Sequence, residues 1–259
     1  MIPKIIHYCW FGSNPLPELT KKCIESWKKY CPDYKIIRWD ESNVDLESCL
    51  FVREAYASKK WAFVSDYIRL KVVSEHGGIY LDTDVELLKP LDNLLQYPAY
   101  MGFESNKNCV VNSGLGFGAE QGHPFFLSLL AEYEQLSFVN ELGDYDMTPC
   151  VLRETRALMR LGLKVNGKTQ ILKNIIILSE DYLCPISLLG VSNFTENTYS
   201  IHHYDASWLS DVKKKGLERK KKLIKVFGLS LGSWINKPII LIDEIRDNGL
   251  LKTIKKIFS

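Results

Sequence analysis

The chain has 259 residues, 46% hydrophobic and 12% aromatic, enough to bury the core of one large α/β domain or two small ones. With 25% charged residues it has the composition of a globular protein, which excludes wholesale disorder. The formal net charge of +2 conceals an asymmetry, because residues 211–259 hold 13 Lys and Arg against 5 Asp and Glu, so the preceding body is net acidic. In chain order, residues 2–10 read as a buried strand that stops at the turn Gly12-Ser13-Asn14-Pro15. Residues 19–30 carry apolar side chains at helical spacing (Leu19, Cys23, Ile24, Trp27), and residues 34–39 read as a second strand. Two helices are predicted over 47–58 and 61–75, the second closed by Gly77-Gly78, with a short β-rich run over 79–81 after it. Further on, 109–117 reads as a strand, 124–135 and 149–161 as helices, and 171–178 as an apolar strand. From 211 onward the pattern is Lys-rich and helical. Strands alternating with helices predict a mostly parallel sheet covered on both faces.

Seven cysteines are scattered without a C-x-x-C pair, which supports neither a zinc knuckle nor a redox motif and fits a reducing compartment. The first residues lack the pattern of a signal peptide, and no uninterrupted apolar stretch reaches ~18 residues. The nearest, 226–242, is broken by Asn236-Lys237-Pro238. A cytoplasmic protein is expected.

Chemistry concentrates in three places. Asp82-Thr83-Asp84 follows the Gly-Gly stop and the 79–81 strand, so two carboxylates stand at the carboxyl end of a parallel strand, where open α/β sheets bind ligands. Two acids so spaced can share one hard divalent cation, Mg²⁺ or Mn²⁺. The alternative is a pair of solvated loop acids, and a second D-x-D at Asp144-Tyr145-Asp146 shows how cheaply the pattern arises. Asp66 and Arg69 lie i,i+3 on the preceding helix, as a surface ion pair or as a sugar- and phosphate-gripping pair. In Ile201-His202-His203-Tyr204-Asp205-Ala206-Ser207-Trp208 the adjacent histidines point to opposite faces of a strand, so at most one faces a given site. Trp10, ending the first strand, reads as core or as a stacking platform.

Together, residues 2–12, Ser26-Trp27, Trp39-Asp40-Glu41-Ser42-Asn43, Ser65-Asp66-Tyr67-Ile68-Arg69, Gly77-Gly78-Ile79-Tyr80-Leu81-Asp82-Thr83-Asp84, Gly122-His123-Pro124 and residues 202–208 resemble one family. It is glycosyltransferase family 32, the DXD sugar transferases, with bacterial capsular-polysaccharide enzymes and yeast Golgi mannosyltransferases among its members. The glucosylating domains of clostridial toxins are a more distant likeness. The resemblance covers about residues 1–210, taken as the catalytic domain, with 211–259 as a basic amphipathic helical tail.

The resemblance implies a GT-A fold with a Rossmann-like sheet, a nucleotide-sugar donor (UDP-sugar favoured), Mn²⁺ or Mg²⁺, and a retaining hexosyl transfer. It further implies a glycan acceptor, lipid-linked, in surface-polysaccharide synthesis. Trp10 resembles the residue that stacks on the donor base, and Asp66 and Arg69 the pair that grips the donor sugar. Asp82 and Asp84 match the metal-site acids, while Asn112 resembles a polar residue facing the sugar. Ser207 and Trp208 resemble the segment closing over the diphosphate. His203 is similar to the C-terminal metal-binding histidine, with His202 second to it. Asp144 and Asp146 are acceptor-side candidates, where Met147-Thr148-Pro149 departs from the family's Gly-Pro. Other readings are a toxin-like protein glycosyltransferase and an inactive sugar-nucleotide-binding protein. No nucleic-acid partner is expected. The Lys-rich tail, with apolar residues at helical spacing, is expected to lie on the inner face of the cytoplasmic membrane.

Overall fold

The elements are β1 (Ile5–Cys9), α1 (Glu18–Tyr30), β2 (Lys35–Trp39), α2 (Leu50–Ala57), α3 (Trp61–His76), β3 (Gly78–Tyr80), β4 (Val85–Leu87) and β5 (Ala99–Gly102). They continue with β6 (Phe117–Ala119), α4 (Pro124–Glu134), α5 (Cys150–Arg160), β7 (Gln170–Leu172), β8 (Ile175–Leu178), α6 (Glu180–Leu183) and β9 (Ser200–His202). The structure, a computed structural model, is described over residues 1–104, 109–205 and 214–228. Seven strands form one sheet in the order β2-β1-β3-β6-β5-β8-β7. β1 is parallel to β2 and β3, and β5 to β8; only β6 and β7 run against the others. The fold is α/β with a mostly parallel sheet.

Period-two alternation sends neighbouring side chains into two cores. Ile6, Tyr8, Ile79, Tyr100 and Ile176 pack with Cys23 and Trp27 of α1. Cys9, Tyr80, Met101, Phe117 and Ile177 pack on the other face with the apolar sides of α2, α3, α4 and α5. The sheet is thus covered on both faces, and its apolar strands need that cover.

Two expected strands change shape. Within 109–117 the side chain of Asn112 accepts the Gly114 N–H at 2.7 Å and bends the chain into a 3₁₀ turn over Ser113–Leu115, leaving a strand only over β6. The 171–178 run is a hairpin, β7 against β8, reversed at Lys173 in the left-handed region (φ 52°). At the site end, Gly78 has φ 106°, and a Cβ there would stand 2.8 Å from the Ile5 carbonyl oxygen, so only glycine lets β3 lie this close to β1. β4 then leaves the main sheet and pairs with β9.

The chain divides into two compact units, one of residues 1–185 and 193–204, the other of residues 186–192 and 205–259. In the second unit the described residues include a bridge between Ile186 and Ser192 and a helix over 214–228. All seven cysteines are thiols. Among the described residues no helix is long and apolar enough to cross a membrane.

Candidate active site

The site gathers where β1 and β3 end side by side, His7 opposite Tyr80, with Trp10 and Asp82 just beyond. Asp82 and Asp84 follow β3, and the β4–β9 ladder sets Val85 opposite His202. That register brings His202 Nε2 to 3.2 Å from Asp84 Oδ1. Ligand atoms of Asp82, Asp84 and His202 lie within 4.8 Å of one another. His202 Nδ1 is buried without a hydrogen-bond partner. Two carboxylates and an imidazole with an unpartnered nitrogen fit a divalent cation such as Mn²⁺ or Mg²⁺. Burial disfavours the charged form of His202, but Asp84, and Asp82 behind it, outweigh burial and hold its pKa above the ordinary value.

His203, favoured by the resemblance, is not brought to the acid pair. Its Nε2 lies 2.8 Å from Glu86 Oε2, which also pairs with Lys22 at 2.9 Å. The reason is strand alternation: adjacent histidines face opposite ways, and the ladder turns His202 inward.

Behind the acid pair stands a buried polar network. Arg69 Nη2 sits 3.0 Å from Asp66 Oδ1 and 3.3 Å from Asp82 Oδ1, and its Nε donates to the Ser65 carbonyl at 3.1 Å. Arg69 is 4% exposed and Asp66 7%, so this is no surface ion pair. The Tyr80 hydroxyl donates to Asp82 Oδ1 at 2.9 Å, and the Arg69 guanidinium lies over the Tyr80 ring. Burial raises the pKa of both Asp66 and Asp82, with Arg69 opposing the rise in each.

The turn after Asn112 closes the network. Arg69 Nη1 donates to Ser113 Oγ at 3.2 Å, and Glu154 of α5 accepts from Ser113 N at 2.9 Å and from its hydroxyl at 2.5 Å. Glu154 and Ser113 were not singled out in the sequence. One signal was present: Glu154 shares the buried stripe of α5 with Ala157 and Leu158, where an unexplained carboxylate is unusual. The Asn112 side chain is committed to the Gly114 N–H and, through Nδ2, to Glu104 at 3.3 Å.

The other expected residues stand as follows. Trp10 is partly buried against the α1-side core, and its indole N–H donates to the Asn14 carbonyl at 2.7 Å. The Asp146 carboxylate is held by Arg153 and by the Thr148 N–H, whereas Asp144 is exposed. Ser207 and Trp208 lie outside the described residues.

Residues 17–100 match the model of the glycosyltransferase sugar-binding region containing the DXD motif, and Asp82-Thr83-Asp84 is that motif here. The chain is similar to inositol phosphoceramide mannosyltransferase 3 of Schizosaccharomyces pombe, with 31% identity over 153 residues, covering 53% of this chain and 38% of the relative. It is also similar to an uncharacterized glycosyltransferase of Acanthamoeba polyphaga mimivirus, with 26% identity, covering 82% of this chain and 86% of that one. Among solved structures, the PaToxG glycosyltransferase superposes with a TM-score of 0.45 at 20% identity, covering 61% of this chain and 69% of that one. The chain spans well under half the length of the inositol phosphoceramide mannosyltransferases and mannosyl phosphorylinositol ceramide synthases it matches, between 34% and 40% of each.

Proposed function

We propose that this chain is a metal-dependent retaining hexosyltransferase of GT-A type, using a nucleotide-sugar donor and a glycan or glycolipid acceptor. The observation that carries the reading is the cluster of Asp82, Asp84 and His202 backed by Arg69, which bridges Asp82 and Asp66 inside the DXD region. Asp82, Asp84 and His202 would hold a divalent cation, which when bound would supply Lewis-acid stabilisation of a departing nucleoside diphosphate. The chain's own residues do the remainder. Arg69 holds Asp82 in place from behind, and Tyr80 donates to the same oxygen, so the carboxylate meets its ligand without rearranging. Asp66, buried beside Arg69, is the acceptor for donor-sugar hydroxyls. Trp10, just beyond the end of β1 as Asp82 is just beyond β3, would offer its ring to the base.

For transfer with retention, we favour front-face attack assisted by the leaving phosphate over a covalent glycosyl-enzyme. That preference rests on the family resemblance, as does the UDP-sugar donor. The mannosyl transfer named for the fungal relatives puts mannose beside glucose and galactose as the sugar to test. The inositol phosphoceramide named for the fungal relatives supports a lipid-linked acceptor, and a role in surface-polysaccharide synthesis rests on the sequence resemblance alone. The basic segment from residue 211 onward would then hold the enzyme at the inner face of the cytoplasmic membrane. Thermal unfolding with a panel of UDP- and GDP-hexoses, with and without Mn²⁺, tests the reading. Stabilisation by one donor class that chelator abolishes is expected, and no response to any donor would overturn it. Co-sedimentation with anionic vesicles, with and without residues 211–259, tests the membrane arm; binding unchanged by the truncation would refute it.

A further inference from the structure

We infer that Glu154 is a positioning residue for Arg69, acting through the Ser113 hydroxyl; its use in sugar transfer rests on the function proposed above, its geometry does not. Glu154 is 1% exposed and Ser113 0%. Both donors of Ser113, the backbone N–H and the hydroxyl, converge on one carboxylate, at 2.9 and 2.5 Å. With its hydrogen committed to Glu154, the Ser113 oxygen presents lone pairs to Arg69 Nη1 at 3.2 Å. The guanidinium is thereby fixed at Ser65, Ser113, Asp66 and Asp82 together, and its plane has one orientation left.

A two-donor grip also pins the 3₁₀ turn that carries Gly114 against Asp82. Glu154 therefore reaches the acid pair by two routes, through Arg69 and through the turn, without touching either acid. The groups facing it are Arg69 and Asp66 from α3, Tyr133 from α4 and Cys150 from its own helix. A carboxylate accepting twice suits this arrangement. A neutral amide in its place must turn an N–H toward Ser113 and push the hydroxyl hydrogen toward the guanidinium.

The test has two readouts on the full chain. ¹⁵N-arginine labelling, with Arg69 assigned by Arg69→Lys, reports rotation of its Nη groups. Slow rotation is expected in the wild type and fast, averaged rotation in Glu154→Gln and Ser113→Ala. Unchanged rotation in both variants would overturn the inference whatever the enzyme's substrate. Ser113→Ala keeps the N–H bond to Glu154 and removes only the hydroxyl link, so it decides the matter if Glu154→Gln fails to fold. In donor turnover, each variant should lower kcat by about 10–100-fold, as outer partners of a catalytic group do, with the donor KM little changed. The double variant should fall no further, because the two residues act as one unit. Losses that add in the double variant, or a melting-temperature change with wild-type kcat, would make Glu154 a structural residue only. A wild type that turns over no donor while Arg69 responds as expected would instead count against the proposed function and leave the positioning role standing.

Discussion

Gly114→Ala places a known atom against a known atom, so its effect can be worked from distances. A Cβ at Gly114 would stand 2.5 Å from Asp82 Oδ2, 3.0 Å from Asn112 Oδ1 and 3.4 Å from Arg69 Nη1. Non-bonded contacts relax near ~3.5 Å, so Asp82 or the turn has to give by roughly 1 Å. The turn is held from behind by Glu154 on both donors of Ser113, and Asp82 by the Tyr80 hydroxyl and Arg69. Asp82 is the freer of the two, with a side chain 27% exposed where Ser113 of the turn is 0% exposed. Overpacking of this kind costs about 1–3 kcal/mol, several degrees of melting temperature in a chain of this size. Displacing Asp82 should also weaken Mn²⁺ binding by about 10–100-fold. Calorimetric Mn²⁺ titration, beside thermal unfolding of the metal-free protein, measures both. Unchanged Mn²⁺ affinity with a lowered melting temperature would show that the turn yields and Asp82 does not, refuting the mechanical coupling between them.

Asp84→Ala should abolish stabilisation by Mn²⁺, beyond whatever metal-free stability is lost by leaving the buried His202 without its 3.2 Å partner. His202→Gln should weaken the metal response where His203→Gln leaves it intact, and the reverse order would restore His203 as the ligand. Trp10→Ala should weaken nucleotide binding by ~1–3 kcal/mol if the ring stacks on the base; an equal loss of melting temperature with and without nucleotide would mark it as core. For pH dependence, burial raises the Glu154 pKa from 4.5 to about 7. Its protonated form therefore favours the fold, a contribution fully present below pH 4.5 and lost as pH rises through 7. Glu154→Gln, which cannot titrate, should remove that pH dependence across the window, whatever its stability relative to the wild type. Burial lowers the His7 pKa from 6.5 to about 4, so its contribution is present above pH 6.5 and lost as pH falls through 4. His7→Gln should flatten that acid limb; denaturant titrations across pH check both signs, and two variants that track the wild type at every pH would refute them.

Local chemistry in the sequence was enough to locate the acid pair. Gly77-Gly78 stops α3, three β-forming residues follow, and the two aspartates must emerge at the strand's carboxyl end. The i,i+3 spacing of Asp66 and Arg69 likewise guaranteed a shared helix face. Whether that face met water or the sheet was open, and packing of α3 between the sheet and its neighbouring helices buried both residues. The choice between His202 and His203 needed the β4–β9 register, a pairing between segments more than a hundred residues apart, where a shift of one residue reverses every side chain. Glu154 reaches Ser113 across 41 residues, and nothing in Arg153-Glu154-Thr155 read alone separates a solvated helix charge from a buried anchor. Turns and strand ends are encoded by residues a few positions apart, so they are legible in the chain itself. A buried network of one guanidinium and three carboxylates exists only when four distant segments are packed together, because only the desolvation that packing imposes makes each of those charges require its partner.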